Sequence, residues 1–149
     1  MRLAMAISES RLKRLGLEEG IPFECSQCGK CCSGSPGYVY FSRSELDAMA
    51  KHLGLLPFEF LQKYTRKLDG WSCFNEVATE HGLDCVFLAR DEKTGKSHCS
   101  IYSVRPSQCR TWPFWSENLA SREALQRAAE DCPGLASGLE KKGMRPDAR

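Results

Sequence analysis

The chain has 149 residues, the usual size of one domain, and carries 21 basic against 19 acidic side chains for a net charge of +2. That balance excludes a general electrostatic footprint for nucleic acid or for a membrane surface. Apolar residues make up 42% and charged residues 27%, as in ordinary soluble globular proteins, but nine cysteines are far from ordinary at this length.

The N-terminus lacks the look of a signal peptide. Leu3 to Ile7 is a short apolar run, no A-x-A site follows it, and Ser8, Glu9, Ser10, Arg11, Lys13 and Arg14 come directly after. No stretch approaches the ~18 apolar residues of a membrane span. The chain is therefore expected to be cytoplasmic, where thiols are kept reduced. Under those conditions many cysteines point to metal rather than to disulfides. The count is also odd, so a full disulfide pairing would leave one thiol over.

Residues 1–22 read as a lead-in, with some helical spacing over Arg11 to Leu17 punctuated by Gly16, Gly20 and Pro22. A cysteine cluster, Cys25 to Cys32, precedes the loop Ser33-Gly34-Ser35-Pro36-Gly37. Tyr38 to Phe41 is aromatic and β-branched and predicts a short strand. Ser42 and Ser44 are candidate N-caps, with Glu45 or Asp47 three residues on. Leu46, Met49, Ala50 and Leu53 then form a stripe at i, i+3, i+4 and i+7, and Gly54 suits the C-cap. A second helix is predicted from Pro57, with Phe58, Leu61, Tyr64 and Leu68 inward and an end near Gly70.

Trp71 to Phe74 and Cys85 to Leu88 predict short strands. Asp91 to Lys96 is a charged turn, and Cys99 to Tyr102 a further strand or extended piece. Pro106 and Pro113 bracket Cys109. Ser121 to Asp131 predicts a last helix with Leu125, Ala128 and Ala129 inward, stopping at Cys132-Pro133-Gly134. Residues 139–149 read as a flexible tail. The expectation is a small α+β domain over residues 23–138, its short elements organised around one or more cysteine metal sites. Its core is modest, so a bound metal would contribute folding energy directly.

The strongest signal is Cys25-Ser-Gln-Cys28-Gly-Lys-Cys31-Cys32. In a C-x-x-C turn the two intervening residues reverse the chain, so two thiolates converge on one ion. Here two such turns share Cys28, and Gly29 permits the tight backbone they need. Cys31 and Cys32 are neighbours whose side chains tend to diverge, which points to two sites or to a bridge within one polynuclear site. Cys85, Cys99, Cys109 and Cys132 lie at the edges of predicted elements and bring the set to eight thiols. Eight can complete two tetrahedral four-cysteine sites, in zinc or in iron–sulfur chemistry. Taken singly, each of the later four also fits a plain buried cysteine. Alternation within Trp71-Ser-Cys-Phe74 points Cys73 into the core, outside the ligand set.

Thiolate-rich sites suit zinc, copper(I) or iron–sulfur clusters, and the spacing does not separate them. His98 precedes Cys99 but reads as a partly exposed side chain, and His52 and His81 have no assigned role. Arg105 and Arg110 flank Cys109. A divalent ion with four thiolates carries a net charge of about −2, which guanidiniums offset if they face sulfur rather than solvent. Trp112, Phe114 and Trp115 fit plain core slightly better than a lid over the site. Stacking on single-stranded nucleic acid is disfavoured by the weak overall charge. Hydrolase, P-loop, dinucleotide and H-E-x-x-H motifs are all missing.

Cys25-x-x-Cys28-x-x-Cys31-Cys32, Cys85-Val-Phe-Leu, Cys99-Ser-Ile-Tyr, Arg105-Pro-x-x-Cys109-Arg, Trp112-Pro-Phe and Cys132-Pro-Gly together resemble the YkgJ-type CxxCxxCC cysteine-cluster family, a zinc- or iron-chelating domain. The resemblance runs from about Phe23 to Gly138 and leaves Cys73 outside the pattern. It implies a metal-binding protein with zinc or an iron–sulfur cluster as cofactor. A related cluster occurs in flagellin lysine N-methylases, so the alternative is an iron–sulfur-dependent redox or protein-modifying enzyme, or an accessory domain of one. The partners expected are metal ions, with no membrane.

Overall fold

The computed structural model describes residues 9–144. Helices and short antiparallel strands make it an α+β protein. The chain divides into two compact units, one formed by residues 32–110 and the other by residues 1–31 with 111–149. Among the described residues no helix is long and apolar enough to cross a membrane.

The unit of residues 32–110 begins its regular structure with α1, Arg43–His52. Ser42 caps it through a reciprocal capping box with Glu45, and Leu46, Met49 and Ala50 are its buried face. Helix α2, Pro57–Tyr64, starts on proline but stops earlier than its apolar residues suggest. The Thr65 hydroxyl donates to the Leu61 carbonyl at 2.6 Å, and the chain turns extended there. Strands β1, Thr65–Leu68, and β2, Trp71–Phe74, then form a hairpin closed by Asp69 and Gly70, both at positive φ. An Asp-Gly pair is a strong two-residue hairpin signal, and it overrides the helical periodicity that Leu68 would continue. Phe58 consequently faces solvent, and Phe60 is the fully buried residue of α2.

Strands β3, Glu76–Thr79, and β4, Gly82–Cys85, form a second hairpin, and β5, Leu88–Arg90, with β6, Ser97–Cys99, a third. The run Cys85 to Leu88, expected as one strand, is instead the end of β4, a two-residue link at Val86 and Phe87, and the start of β5. Tyr38 to Phe41 makes only an isolated bridge, Tyr40 to Cys73. The Gln108 side chain donates to the Tyr38 carbonyl and accepts from the Tyr40 amide, occupying groups that a partner strand would need. Beyond β6 the chain makes a 3-10 turn, Tyr102–Val104, in place of the extended continuation. A short helix α3, Ser107–Thr111, carries Cys109.

Each sheet has two strands, and such hairpins are marginal alone. Their support is an aromatic core. Phe87 stacks on Phe60 at 5.7 Å between ring centres and meets Phe74 at 4.8 Å and Tyr64 at 5.0 Å. Ile101 and the inner face of α1 complete it, and Cys85 and Cys99 pack against it.

The other unit contains α4, Glu9–Arg14, α5, Arg122–Asp131, and α6, Pro133–Lys141. Leu12, Leu15 and Leu17 are buried with Leu125, Ala128 and Ala129 of α5. Residues 9–17 are thus part of a core rather than a lead-in to one. Helix α6 has no counterpart in the sequence reading, which takes Cys132-Pro133-Gly134 as a stop and residues 139–149 as tail. Pro133 is its first residue, where proline is favoured, and Leu135, Leu139 and Met144 are buried beyond it. The expectations for residues 1–8 and for the tail at 145–149 lie outside the described residues. Phe114 is buried and meets Phe23 edge-on at 5.4 Å, and Trp112 and Trp115 pair edge-on at 4.7 Å. Phe114, with Trp112 packed against the same cluster, is core.

Candidate metal centre

The first cysteine cluster is built from two successive tight turns. Gln27 at φ +58° and Gly29 at φ +76° are both left-handed, one in each C-x-x-C. In the first turn the Gln27 amide donates to Cys25 Sγ at 3.4 Å; in the second the Lys30 amide donates to Cys28 Sγ at 3.5 Å. Amides directed at sulfur are the kind of hydrogen bond that orients cysteine ligands in thiolate metal sites. Lys30, Cys31 and Cys32 then form a 3-10 turn. With three residues per turn, adjacent side chains point about 120° apart. The divergence of Cys31 and Cys32 expected from adjacency is therefore a property of the observed backbone.

Cys132 ends α5 and begins α6, and its burial fixes its chemistry. Burial pushes the Cys132 thiol up, and the nearby Cys28 and Cys31 sulfurs push in the same direction. The Leu135 and Gly134 amides at the start of α6 pull against them. A Cys132 thiolate, disfavoured by burial, is one that a bound cation would stabilise. The structure thus brings Cys132 into the electrostatic neighbourhood of the first cluster, across a wide gap in sequence.

A glycine face on α6 sets the approach to that cluster. A β-carbon at Gly134 would land on the Glu24 carbonyl, and one at Gly138 on the Pro22 carbonyl. Only glycine lets residues 22–24 lie this close to the helix, and Cys25 is the next residue. The same helix is therefore capped by Cys132 and seats the segment that delivers Cys25.

The loop after Cys32 is held by the residues before Cys85. Ser33 Oγ donates to Asp84 Oδ1 at 2.5 Å, and the Leu83 amide donates to the Gly34 carbonyl at 2.8 Å. Arg90 grips the same carboxylate through Nε at 3.1 Å and Nη2 at 2.9 Å, and Nη2 also reaches Ser33 Oγ at 3.0 Å. The Arg90 hydrogen bonds, with help from Ser33, hold the buried Asp84 carboxyl down to about 2. The Asp84 hydrogen bonds and charge in turn favour the charged Arg90 guanidinium, with smaller contributions from Glu80 and Cys32.

Arg90 was not foreseen as a charge partner. For Arg105 and Arg110, evenly balanced in the sequence between facing sulfur and facing solvent, other contacts are present: Arg105 lies over the Tyr102 ring at 3.9 Å, and Arg110 reaches Glu45 at 3.7 Å. Glu45 has a further role. Its Oε2 accepts from the Ser107 amide at 2.5 Å while its Oε1 completes the cap of α1. Burial alone would raise the Glu45 carboxyl; the Ser42 and Ser107 amides outweigh it and hold it below its usual value. With Gln108, Glu45 pins the short helix that carries Cys109.

All nine cysteines are thiols. Cys73 is fully buried in β2, opposite Arg66, as alternation predicted. His52, His81 and His98 are exposed. Among the described residues no three histidine, cysteine, aspartate or glutamate side chains stand close enough together to hold a metal ion. The donor set nonetheless fits one chemically: soft sulfur ligands, amides directed at two of them, and a guanidinium beside a third.

A model of the CxxCxxCC family, described as a "putative zinc- or iron-chelating domain", matches residues 24–133. The chain belongs to this family. Its match spans all nine cysteines, from Cys25 to Cys132, and most of the elements around them. An uncharacterized protein of the archaeon Methanocaldococcus jannaschii is 36% identical over 95 residues, 64% of this chain and 46% of that protein. The chain thus spans less than half the length of that relative. No solved structure matches the chain.

Two substitutions separate what supports the fold from what serves the cysteines. Cys73→Ala removes a thiol buried in β2. It should cost the ~1 kcal/mol of a small core truncation and leave metal content unchanged; loss of a metal equivalent would make Cys73 a ligand. Asp84 makes stability depend on acid. Its folded pKa lies below the ordinary aspartate value, so the ion pair contributes fully above about pH 5 and its contribution is lost as pH falls towards 2. That contribution should be about 2 kcal/mol. Asp84→Asn should flatten the acid limb of a stability profile measured by denaturant melts; an unchanged limb would show that the pair contributes nothing.

Proposed function

We propose that this protein binds zinc or iron through eight thiolates, those of Cys25, Cys28, Cys31, Cys32, Cys85, Cys99, Cys109 and Cys132, in a reducing cytoplasm. The observation that carries the reading is the double turn at Cys25 to Cys31, with left-handed Gln27 and Gly29 and amides directed at two sulfurs. Such turns gather thiolates, and a cation is what offsets the resulting negative charge. Membership of a zinc- or iron-chelating family supports the same chemistry. Arg90, fixed by Asp84 and Ser33, adds a positive charge beside Cys32.

When bound, the metal supplies a positive centre that ties together distant parts of the chain; iron–sulfur would add electron transfer. The donor set is compatible with either. Metal and acid-labile sulfide analysis of anaerobically purified protein tests the proposal. A colourless protein with stoichiometric zinc, or a brown one with matching iron and sulfide, is the expected result. Protein without metal, in which all the exposed and half-exposed thiols react promptly with a disulfide reagent, would overturn it.

A further inference from the structure

Eight thiols could serve one polynuclear site or two, and the division of the chain into two units bears on the choice. We infer that the chain holds two four-thiolate centres, one in each compact unit: Cys25, Cys28, Cys31 and Cys132 in the first, and Cys32, Cys85, Cys99 and Cys109 in the second. The inference rests on the metal-binding reading above and deepens it by assigning each ligand.

The division of the chain falls between Cys31 and Cys32, and again between Arg110 and Thr111, so that Cys109 and Cys132 lie on opposite sides of it. Eight thiols therefore separate four and four, and four is the complete set for a closed zinc site or a cubane cluster. Cys31 and Cys32 share a 3-10 turn in which neighbouring side chains diverge. One backbone turn thus sends one ligand to each unit.

Within the first unit, helix α6 links the two ends of the ligand set. Cys132 is its N-cap, and its Gly134 and Gly138 face seats Pro22 to Glu24, directly before Cys25. Cys28 and Cys31 follow through the two tight turns. Within the second unit, the Ser33–Asp84 and Gly34–Leu83 hydrogen bonds join the residues after Cys32 to those before Cys85. Cys85 and Cys99 pack against the same aromatic core, and the Ser100 amide donates to the Phe87 carbonyl at 2.9 Å, clasping their two segments together. Glu45 and Gln108 tie the helix of Cys109 to α1 and to residues 38–40 of that unit.

The test is a cycle of serine substitutions read by metal content. Wild-type protein is expected to hold two equivalents of the bound species. Cys132→Ser and Cys99→Ser should each retain one. The same-unit pair Cys25→Ser with Cys132→Ser should lose no more than Cys132→Ser alone, whereas Cys99→Ser with Cys132→Ser should lose everything. Hydrogen exchange should show new opening in Cys132→Ser confined to residues 9–31 and 111–144. Should a variant fail to fold, stepwise chelation of the wild-type protein gives the same information: two release phases, each opening one unit. Metal-loaded wild type that loses all metal on either single substitution, or in one phase with both units opening together, overturns the partition. Wild type without metal overturns the underlying reading and the partition with it.

Discussion

Removing the metal should unfold this protein. Each compact unit lies in the size range, below about 80 residues, where a single apolar core supplies only about 3–5 kcal/mol. The strands are arranged as three separate hairpins, none of which is stable by itself. In the unit with most of the strands, the buried apolar set is a single cluster centred on Phe60, Phe74 and Phe87. Structural thiolate sites can supply about 10 kcal/mol or more at neutral pH, which exceeds either core. Strong chelation under reducing conditions, or oxidation if the metal is iron–sulfur, should abolish most of the far-ultraviolet dichroism and the cooperative thermal transition. An apo form with unchanged dichroism and melting temperature would show that the cores suffice.

The second large effect is expected from one added methyl group. Gly138→Ala would place a β-carbon against the Pro22 carbonyl. That neighbour is backbone and cannot swing aside, so the cost should reach about 3 kcal/mol, the upper part of the overpacking range. The loss should be accompanied by weaker metal retention, because the displaced segment delivers Cys25. Ser137→Ala, on the exposed side of the same helix, should change stability by no more than about 0.5 kcal/mol. Denaturant midpoints for the two variants, with metal analysis of each, check this. Equal behaviour would mean that the close approach of residues 22–24 to α6 does not matter for stability.

How much of this was legible depends on how local each signal is. The capping box of Ser42 and Glu45, the buried stripe of α1 and the strand at Trp71 to Phe74 are set by neighbours within a few residues, and each was readable. The second helix was read too long because Leu68 continues its apolar spacing. The decisive signal was Asp69-Gly70, which dictates a hairpin whatever the preceding periodicity. Helix α6 was missed because proline and two glycines look like punctuation. Pro133 instead opens the helix, and the glycines serve contact with another segment, which no local pattern reveals.

The cysteine pattern identified the family and the chemistry, since ligand type and spacing are written in the chain itself. The charges around the cysteines were harder. Arg105 and Arg110 were nominated for standing next to Cys109, yet a side chain's partners are decided by folding. Arg90, distant in sequence from Cys32, is the one the structure ties to Ser33, the next residue, and to the Asp84 carboxylate, which adjacency to Cys85 alone did not single out. Glu45 was visible as a cap, but its second bond, to Ser107, joins residues far apart in the chain.

The placement of the tryptophans has an optical consequence. Trp112 and Trp115 are edge-on neighbours 4.7 Å apart, packed with the α5–α6 unit, while Trp71, 70% exposed, is the sole indole of the other. Two indoles at that separation couple their transitions, so their signature in circular dichroism near 225 nm originates in one unit only. Trp71, in water, emits at longer wavelength and is open to collisional quenchers. Iodide should thus remove the red edge of the fluorescence and spare the blue, and loss of order around α5 and α6 should erase the coupled dichroism while leaving Trp71 emission in place. The protein carries its own spectroscopic labels, one colour for each half of the chain.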